Sequence, residues 1–419
     1  MTHLDWHAQR SNDSWPSALK SNPESGAIDL VAVRRYRLGR VREEMARQGV
    51  DALILSDPVN IRYATGTRNM QVFSARNAPA RYLLVTSTRT LLYEFTGCMH
   101  LADGFETVDE VRPALTASFV AAGPRIAEAE RNWAKQVRDA LLPLVGDNPV
   151  LGMERVNAGA VLAMAAHGMR LVDAQSVLEM ARAIKSPEEV KCVVAALRST
   201  ESAVEQLRAA IRPGITENAL WSVLHRSIIA DDGDYCETRL LNSGQRTNPW
   251  FQETGSKVIG DNELVALDTD VVGCHGYYSD FSRTFHSGPD RPDRQQRILY
   301  QVACEQVQHN IGILAPGLGF REYAERAWQI PERYFENRYY LSAHGCGMTG
   351  EYPYLYHRAD FADAGYDGIL QPGMVICVES YIGEAGGSQG VKLEEQVLIT
   401  DNGVELLSRF PLESSLLAS

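Results

Sequence analysis

The chain has no surplus of positive charge. Across 419 residues, 41 Lys and Arg face 53 Asp and Glu, for a net charge of −12 at pH 7. Binding a nucleic-acid backbone needs a basic surface, so that class of partner is excluded. Long apolar runs are missing too. No stretch approaches the roughly 18 apolar residues of a membrane span, so no membrane partner is expected. The opening stretch, MTHLDWHAQRSNDSWPSALKSNPESGA, is polar and holds no apolar run. It does not read as a secretory signal, and residues 1–28 are expected to form a polar N-terminal arm. Disulfide-forming patterns are absent as well. The seven cysteines (Cys98, Cys192, Cys236, Cys274, Cys304, Cys346 and Cys377) are odd in number, widely spaced and without a CxxC pair. This excludes a disulfide framework and points to a reduced, cytoplasmic protein. Repeats at solenoid periods and low-complexity tracts are also lacking, which excludes repeat arrays.

What is present is enough for two domains, because the chain is too long for one ordinary core. Residues 29–184 alternate helix and strand patterns. DLVAVRRYRLGRVREEMARQGVD reads as a basic amphipathic helix with Leu38, Val41 and Met45 on one face, broken at Gly49. DALILSD, ARYLLVTS, TLLYEF and PVLGMERV read as strands. The boundary lies in IKSPEEV. Ser186 at the cap, Pro187 at the first helical position and Glu189 three residues on from the cap make a strong helix start. Residues 185–419 then form a second domain. Its helices are the one from Pro187, one starting near Thr216 and one in QQRILYQVACEQVQHNIGIL. Its strands are ELVALDTDVV, MVICVES and VKLEEQVLIT. The fold class is α/β (α+β).

Six residues of the last third read as one metal site: Asp268, Asp270, Asp280, His344, Glu379 and Glu394. In LVALDTDVV the two aspartates are two apart, so strand alternation predicts that they share a face. A hairpin in GCHGYYSD returns Asp280 beside them. Glu379 ends an apolar strand, where an unpaired carboxylate would cost several kcal/mol. Glu394 lies in GVKLEEQVLI, with Glu395 expected on the opposite face. His344 opens the glycine-rich turn HGCG, which lets backbone approach the site. Carboxylates driven together repel unless cations sit between them, and oxygen ligands with one nitrogen suit two divalent ions. Iron, manganese, cobalt and zinc all accept such a set.

GYYSDFSRTF, the HGCG turn, MVICVES and GVKLEEQVLIT resemble the creatinase/aminopeptidase P/methionine aminopeptidase family, the pita-bread metalloenzymes of the M24 peptidase type. The resemblance implies a creatinase-like N-terminal domain followed by a pita-bread catalytic domain. It also implies a metal-ligand order that maps onto the six residues above. Peptidases of that family use two further histidines. At their places stand Trp250, after Pro249 in NSGQRTNPW, and Glu351, seven residues after His344. The Asp268/Asp270 doublet departs from the peptidase pattern too. DPVNIRYATG, ETRLLNSGQRTNPWFQE, the doublet, HGCG followed by EYP, and CVESYIGEAGGSQGVKLEEQ are instead similar to the peptidase-like dimethylsulfoniopropionate (DMSP) lyases of the DddP type. That resemblance implies a homodimer with two metals, often iron, and a small carboxylate substrate.

DMSP carries a carboxylate and a sulfonium. Metals hold a carboxylate and acidify the adjacent C–H. Trp250, Tyr340 and Tyr352, with Tyr339, are the candidates to hold the cation by cation–π contact. The lyases are expected to carry an Asp base six residues after the metal histidine, where this chain has Gly350. Glu351, Tyr339 or a metal-bound hydroxide are the remaining candidates for the base. Three readings follow: a C–S lyase acting on DMSP or a relative, a metallohydrolase of a dipeptide, amide or creatine-like compound, and a binding module on the same fold.

Overall fold

A computed structural model describes residues 28–70 and 80–417. The expected N-terminal arm falls almost wholly outside the described residues. Two compact units are present, with the division between Arg182 and Ala183. Among the described residues no helix is long and apolar enough to cross a membrane.

The N-terminal unit is built on a six-stranded mixed sheet. Its strands are β1 (Ala52–Leu55), β2 (Tyr82–Thr86), β3 (Thr90–Glu94), β4 (Glu110–Pro113), β5 (Val150–Glu154) and β6 (Arg170–Asp173), in spatial order β4-β3-β2-β1-β5-β6. The helix Leu30–Gln48 starts because the Asp29 carboxylate accepts the Ala32 N–H, and it ends at Gly49, which takes φ 65°. That dihedral is open to glycine at little cost. Its buried face holds Leu38, Val41 and Met45, as the period predicts. The core packs Trp133 against Tyr82, with Tyr93, Val137 and Leu141 around them.

The second unit begins at the expected helix start. Ser186 accepts the Glu189 N–H, and the Glu189 side chain accepts the Ser186 N–H, which opens helix Pro187–Ala210. The Thr216 hydroxyl accepts the Ala219 N–H and caps helix Glu217–Ala230. Three short sheets and ladders follow. β7 (Tyr235–Cys236), β10 (Val271–Val272) and β11 (Tyr278–Ser279) form one. β8 (Leu241–Ser243), β9 (Leu264–Asp268) and β12 (Ser282–His286) form another. The third has β13 (Ala343–Cys346), β14 (Gly350–Leu355), β15 (Val375–Gly383), β16 (Gly390–Thr400) and β17 (Gly403–Leu406), in order β14-β13-β15-β16-β17. All pairs in this last sheet are antiparallel. Its outer face is covered by helix Arg294–Ile313 and by apolar residues including Ile376, Val378, Val397 and Ile399.

A candidate metal centre

The six predicted residues come together, four of them through strand register. Glu379 on β15 lies directly opposite Glu394 on β16, and His344 on β13 lies opposite Cys377 on β15. Asp268 at the end of β9 pairs with Ser282 on β12. Asp280 sits between β11 and β12, where its backbone N–H donates to the Gln396 side chain. All six are buried. Three overlapping groups have ligand atoms within 4.8 Å of one another: Asp280, His344, Cys377 and Glu394; Asp268, Glu379 and Glu394; Asp268, Asp270 and Asp280.

One detail departs from the strand-alternation argument. β9 stops at Asp268, and Asp270 takes φ 41° in the turn before β10. The two aspartates share the cluster through that turn rather than through one strand face. Tyr278 and Thr238 hydroxyls hold Asp270 there.

His344 Nδ1 lies 2.9 Å from the Gly345 carbonyl. As the donor in that bond it leaves Nε2 bare, which is the tautomer of a metal ligand. Nε2 faces Glu379 Oε1 at 3.2 Å, with Asp280 Oδ2 and Glu394 Oε1 both at 3.5 Å. Asp280 Oδ1, Glu379 Oε1 and Glu394 Oε1 are buried and have no hydrogen-bond partner among the described residues. Orphaned oxygens of this kind are costly unless a cation meets them. The donor set therefore fits divalent metal ions.

Electrostatics agree. Burial first, then neighbouring carboxylates, push Asp270 up to about 7 and hold Asp280 well above the usual carboxylate range. Burial also lifts Asp268 and Glu379, with Lys392 opposing it. At Glu394 burial pulls upward, but Lys392 and His344 override it and hold the carboxyl below its ordinary range. Without further positive charge Asp268, Asp270, Asp280 and Glu379 hold protons more readily than free carboxyls do, and a cation opposes that.

The other predicted site residues divide. Tyr339 reaches the cluster, with its ring 4.8 Å from Lys392 Nζ. Burial, then Glu379, Asp268 and Glu394, hold its phenol well above its ordinary range. Tyr340 is half exposed and touches Tyr339 at 5.0 Å between ring centroids. Trp250 is packed inward against Tyr381 and Ala266, which gives it a core role instead of an open contact. The ring this turn presents to solvent is Phe251, 54% exposed and at φ 68°, next to Tyr339 at 5.0 Å and Tyr340 at 6.0 Å. A bulky residue rarely adopts that backbone. Tyr352 stacks on Tyr366 at 5.8 Å and packs near Phe320, so it is a packing residue.

The expectation for Glu351 is corrected. Its carboxylate is buried in an ion pair with Lys185 Nζ and belongs to none of the three ligand groups. Gly350, one residue earlier on β14, faces the site instead. A Cβ added there would meet the His344 ring, at Cε1 and Nδ1, both at 3.9 Å.

The sequence reading missed four residues. Lys392, fully buried, contacts Asp268, Glu379 and Glu394. Its position two before Glu394 on a strand was the available clue. Cys377 lies opposite His344, and only register reveals it. Phe251 and Tyr354 complete a run of rings from solvent to the cluster, Tyr354 being 6.3 Å from Tyr340 and 6.4 Å from His344.

Comparisons with known proteins bear on both units. Residues 191–401 match the model of metallopeptidase family M24, and residues 37–184 match that of the creatinase/prolidase N-terminal domain. A dimethylsulfoniopropionate lyase DddP from Roseobacter denitrificans (strain ATCC 33942 / OCh 114) is 33% identical over 395 residues, covering 93% of this chain and 88% of the relative. An Xaa-Pro dipeptidase from Pyrococcus furiosus is 27% identical, over 56% of this chain and 65% of that relative. Among solved structures, an Xaa-Pro dipeptidase from Bacillus anthracis superposes with a TM-score of 0.72 at 22% identity, covering 91% of this chain and 99% of that one. At that identity the likeness speaks for the fold alone.

Proposed function

The chain belongs to metallopeptidase family M24, with a creatinase-type domain ahead of its pita-bread domain, and from that premise we propose that it is a dinuclear metal-dependent C–S lyase. Its substrate is DMSP or a closely related small onium carboxylate. The observation that carries this reading is the combination at the mouth of the site. Aromatic rings of Phe251, Tyr339, Tyr340 and Tyr354 form a connected run ending at His344. Neither position where the family's peptidases carry their extra histidines has one: Trp250 is turned inward and Glu351 is bound to Lys185. The extensive similarity to a DMSP lyase supports the same choice.

The six ligands would hold two divalent ions, iron by resemblance, which polarise the substrate carboxylate and acidify the adjacent C–H. The chain's own residues do the rest. The aromatic run faces the sulfonium, each ring contributing about 0.5–2 kcal/mol. The Tyr339 ring closes the Lys392 side of the cluster. The α-proton passes to a base, Tyr339 or hydroxide, and the C–H pair becomes the C=C bond. The C–S pair then leaves on sulfur, giving dimethyl sulfide and acrylate. Position 350 supplies no base, so the reaction is expected to run slowly. A cytoplasmic homodimer is part of the same reading.

One observation favours a second reading. With no side chain at Gly350, the nearest atoms to a Cβ there are those of the His344 ring at 3.9 Å, which leaves room beside the ligand for the larger substrate of a metallohydrolase of dipeptides, amides or creatine-like compounds. The deciding experiment incubates protein loaded with Fe, Mn, Co or Zn in parallel with DMSP, Xaa-Pro dipeptides and N-acyl amino acids. Acrylate above the metal-only blank supports the lyase. Hydrolysis of the amide panel with no acrylate overturns it.

A further inference from the structure

Lys392 is the one ammonium that meets the metal-ligating carboxylates among the described residues, and it is fully buried. Its Nζ lies 2.9 Å from Glu379 Oε2, 3.0 Å from Asp268 Oδ2, 3.0 Å from Glu394 Oε2 and 2.8 Å from Ser282 Oγ. The ring of Tyr339 closes it off at 4.8 Å. An ammonium has three donors, so these contacts saturate it. They also divide the cluster in two. Glu379 and Glu394 each give one oxygen to Lys392 and leave the other, Oε1, without a partner on the His344 side. Asp268 is satisfied on both oxygens, by Lys392 and by the Ser282 hydroxyl at 2.7 Å.

The charges point the same way. Five carboxylates (Asp268, Asp270, Asp280, Glu379 and Glu394) carry −5 when ionised, and Lys392 carries +1. Two divalent ions with a neutral His344 bring the total to zero. Without Lys392 the same site would stand at −1. Charge left over in a buried site is expensive.

We propose that Lys392 is a built-in counter-cation of the metal centre. It neutralises part of the charge on Asp268, Glu379 and Glu394, and its fixed charge limits how much further positive charge the cluster accepts. It acts on the ions through the ligands it contacts. The inference rests on the metal-centre reading above but not on the choice of substrate.

The test is divalent-cation affinity, measured with Mn²⁺ by competition with a chelator of known affinity, on the parent, K392M and K392R. Methionine keeps the unbranched length and removes the charge. A unit positive charge in contact with the ligating carboxylates would repel a divalent ion held by them, even at an effective dielectric constant of about 20. K392M should therefore bind Mn²⁺ at least about tenfold more tightly than the parent, while K392R stays within about threefold of it. A lysine that served only to hold the ligands in place would give the opposite: K392M would lose affinity as its ligands came loose. If K392M folds only when Mn²⁺ is present, the ion has replaced the ammonium, which supports the proposal. Weaker binding by K392M, unchanged binding, or failure to fold even with Mn²⁺ overturns it. A parent protein that binds no Mn²⁺, Fe²⁺, Co²⁺ or Zn²⁺ would instead remove the metal-centre reading itself.

Discussion

A carboxylate at position 350 should make this chain a faster lyase. Gly350 opens β14 on the side of the His344 ring, while its neighbour Glu351 points away to Lys185. A Cβ at 350 finds its nearest atoms at 3.9 Å, an ordinary contact distance, and the residue is not among the glycines at positive φ. Aspartate therefore fits without backbone strain or displacement. It would hold its carboxylate beside the histidine ligand, within reach of a substrate whose own carboxylate lies on the metals. A positioned general base contributes roughly 10²–10⁴ in rate. At 1.36 kcal/mol per decade this is about 3–5 kcal/mol of barrier. An unrefined placement should recover the lower end, about a hundredfold in kcat with KM little changed.

The assay is acrylate formation from saturating DMSP, with dimethyl sulfide followed in the headspace and metal content measured on the same samples. Gly350→Asn is the control, because it matches the size and polarity of aspartate and cannot accept the proton. Equal acrylate from the Asp and Asn variants, with parental folding and metal content, would refute the argument. It would mean either that the substrate's α-carbon does not lie near position 350 or that elimination is not the reaction.

Chelation should destabilise the second unit. At metal concentrations about 100-fold above Kd the bound ion adds about 2.7 kcal/mol, so removing it should lower Tm by roughly 5–10 °C in calorimetry; an unchanged Tm would contradict a buried metal centre. Phe251→Ala and Tyr340→Ala should each raise KM for DMSP by about 2–30-fold, the equivalent of about 0.5–2 kcal/mol of cation–π attraction. Binding of the uncharged-tail analogue 4-methylpentanoate should be unaffected, and equal losses for both ligands would argue against onium recognition. In the N-terminal unit, burial, then Asp57, push Glu154 from an ordinary 4.5 up to about 8. Its stabilising protonated form is present below the unfolded value and lost as pH rises toward 8, so stability should fall across that window. Glu154→Gln should flatten the pH profile and be more stable than the parent above pH 8 by roughly 2–4 kcal/mol in urea unfolding; a profile unchanged by the substitution would remove Glu154 as its cause.

The legible part of this molecule was the part governed by local rules. The caps at Ser186 and Thr216, the buried face of the first helix and the identity of the six ligands could all be read from residue type and spacing. What escaped depended on partners distant in sequence or on backbone turns. Glu351 looked like a base because its partner, Lys185, lies 166 positions away. Trp250 looked like the pocket aromatic, but the turn reverses at φ 68° on Phe251 and exposes that ring instead. Asp270 reaches the cluster by a left-handed turn that a strand pattern does not show. Lysine is read by default as a surface residue, and that hid Lys392.

Yet two of these misses were recoverable from parity alone. Along a strand, residues two apart share a face and residues one apart do not. Lys392 is two from the ligand Glu394 and lands among the carboxylates; Glu395, one from it, turns to the opposite face and pairs with the buried Arg283 at 2.8 Å. Gly350 and Glu351 are one apart on β14, so at most one of them faces His344, and the structure gives that place to the glycine. The acidic residue in EYP therefore cannot stand in for a missing base by shifting one position. It would have to break a buried ion pair and cross to the other face of the sheet, leaving the Lys185 ammonium buried and unpaired at a cost of several kcal/mol. A base can be restored at 350 and not at 351, and the Asp and Asn variants at Gly350 test that difference directly.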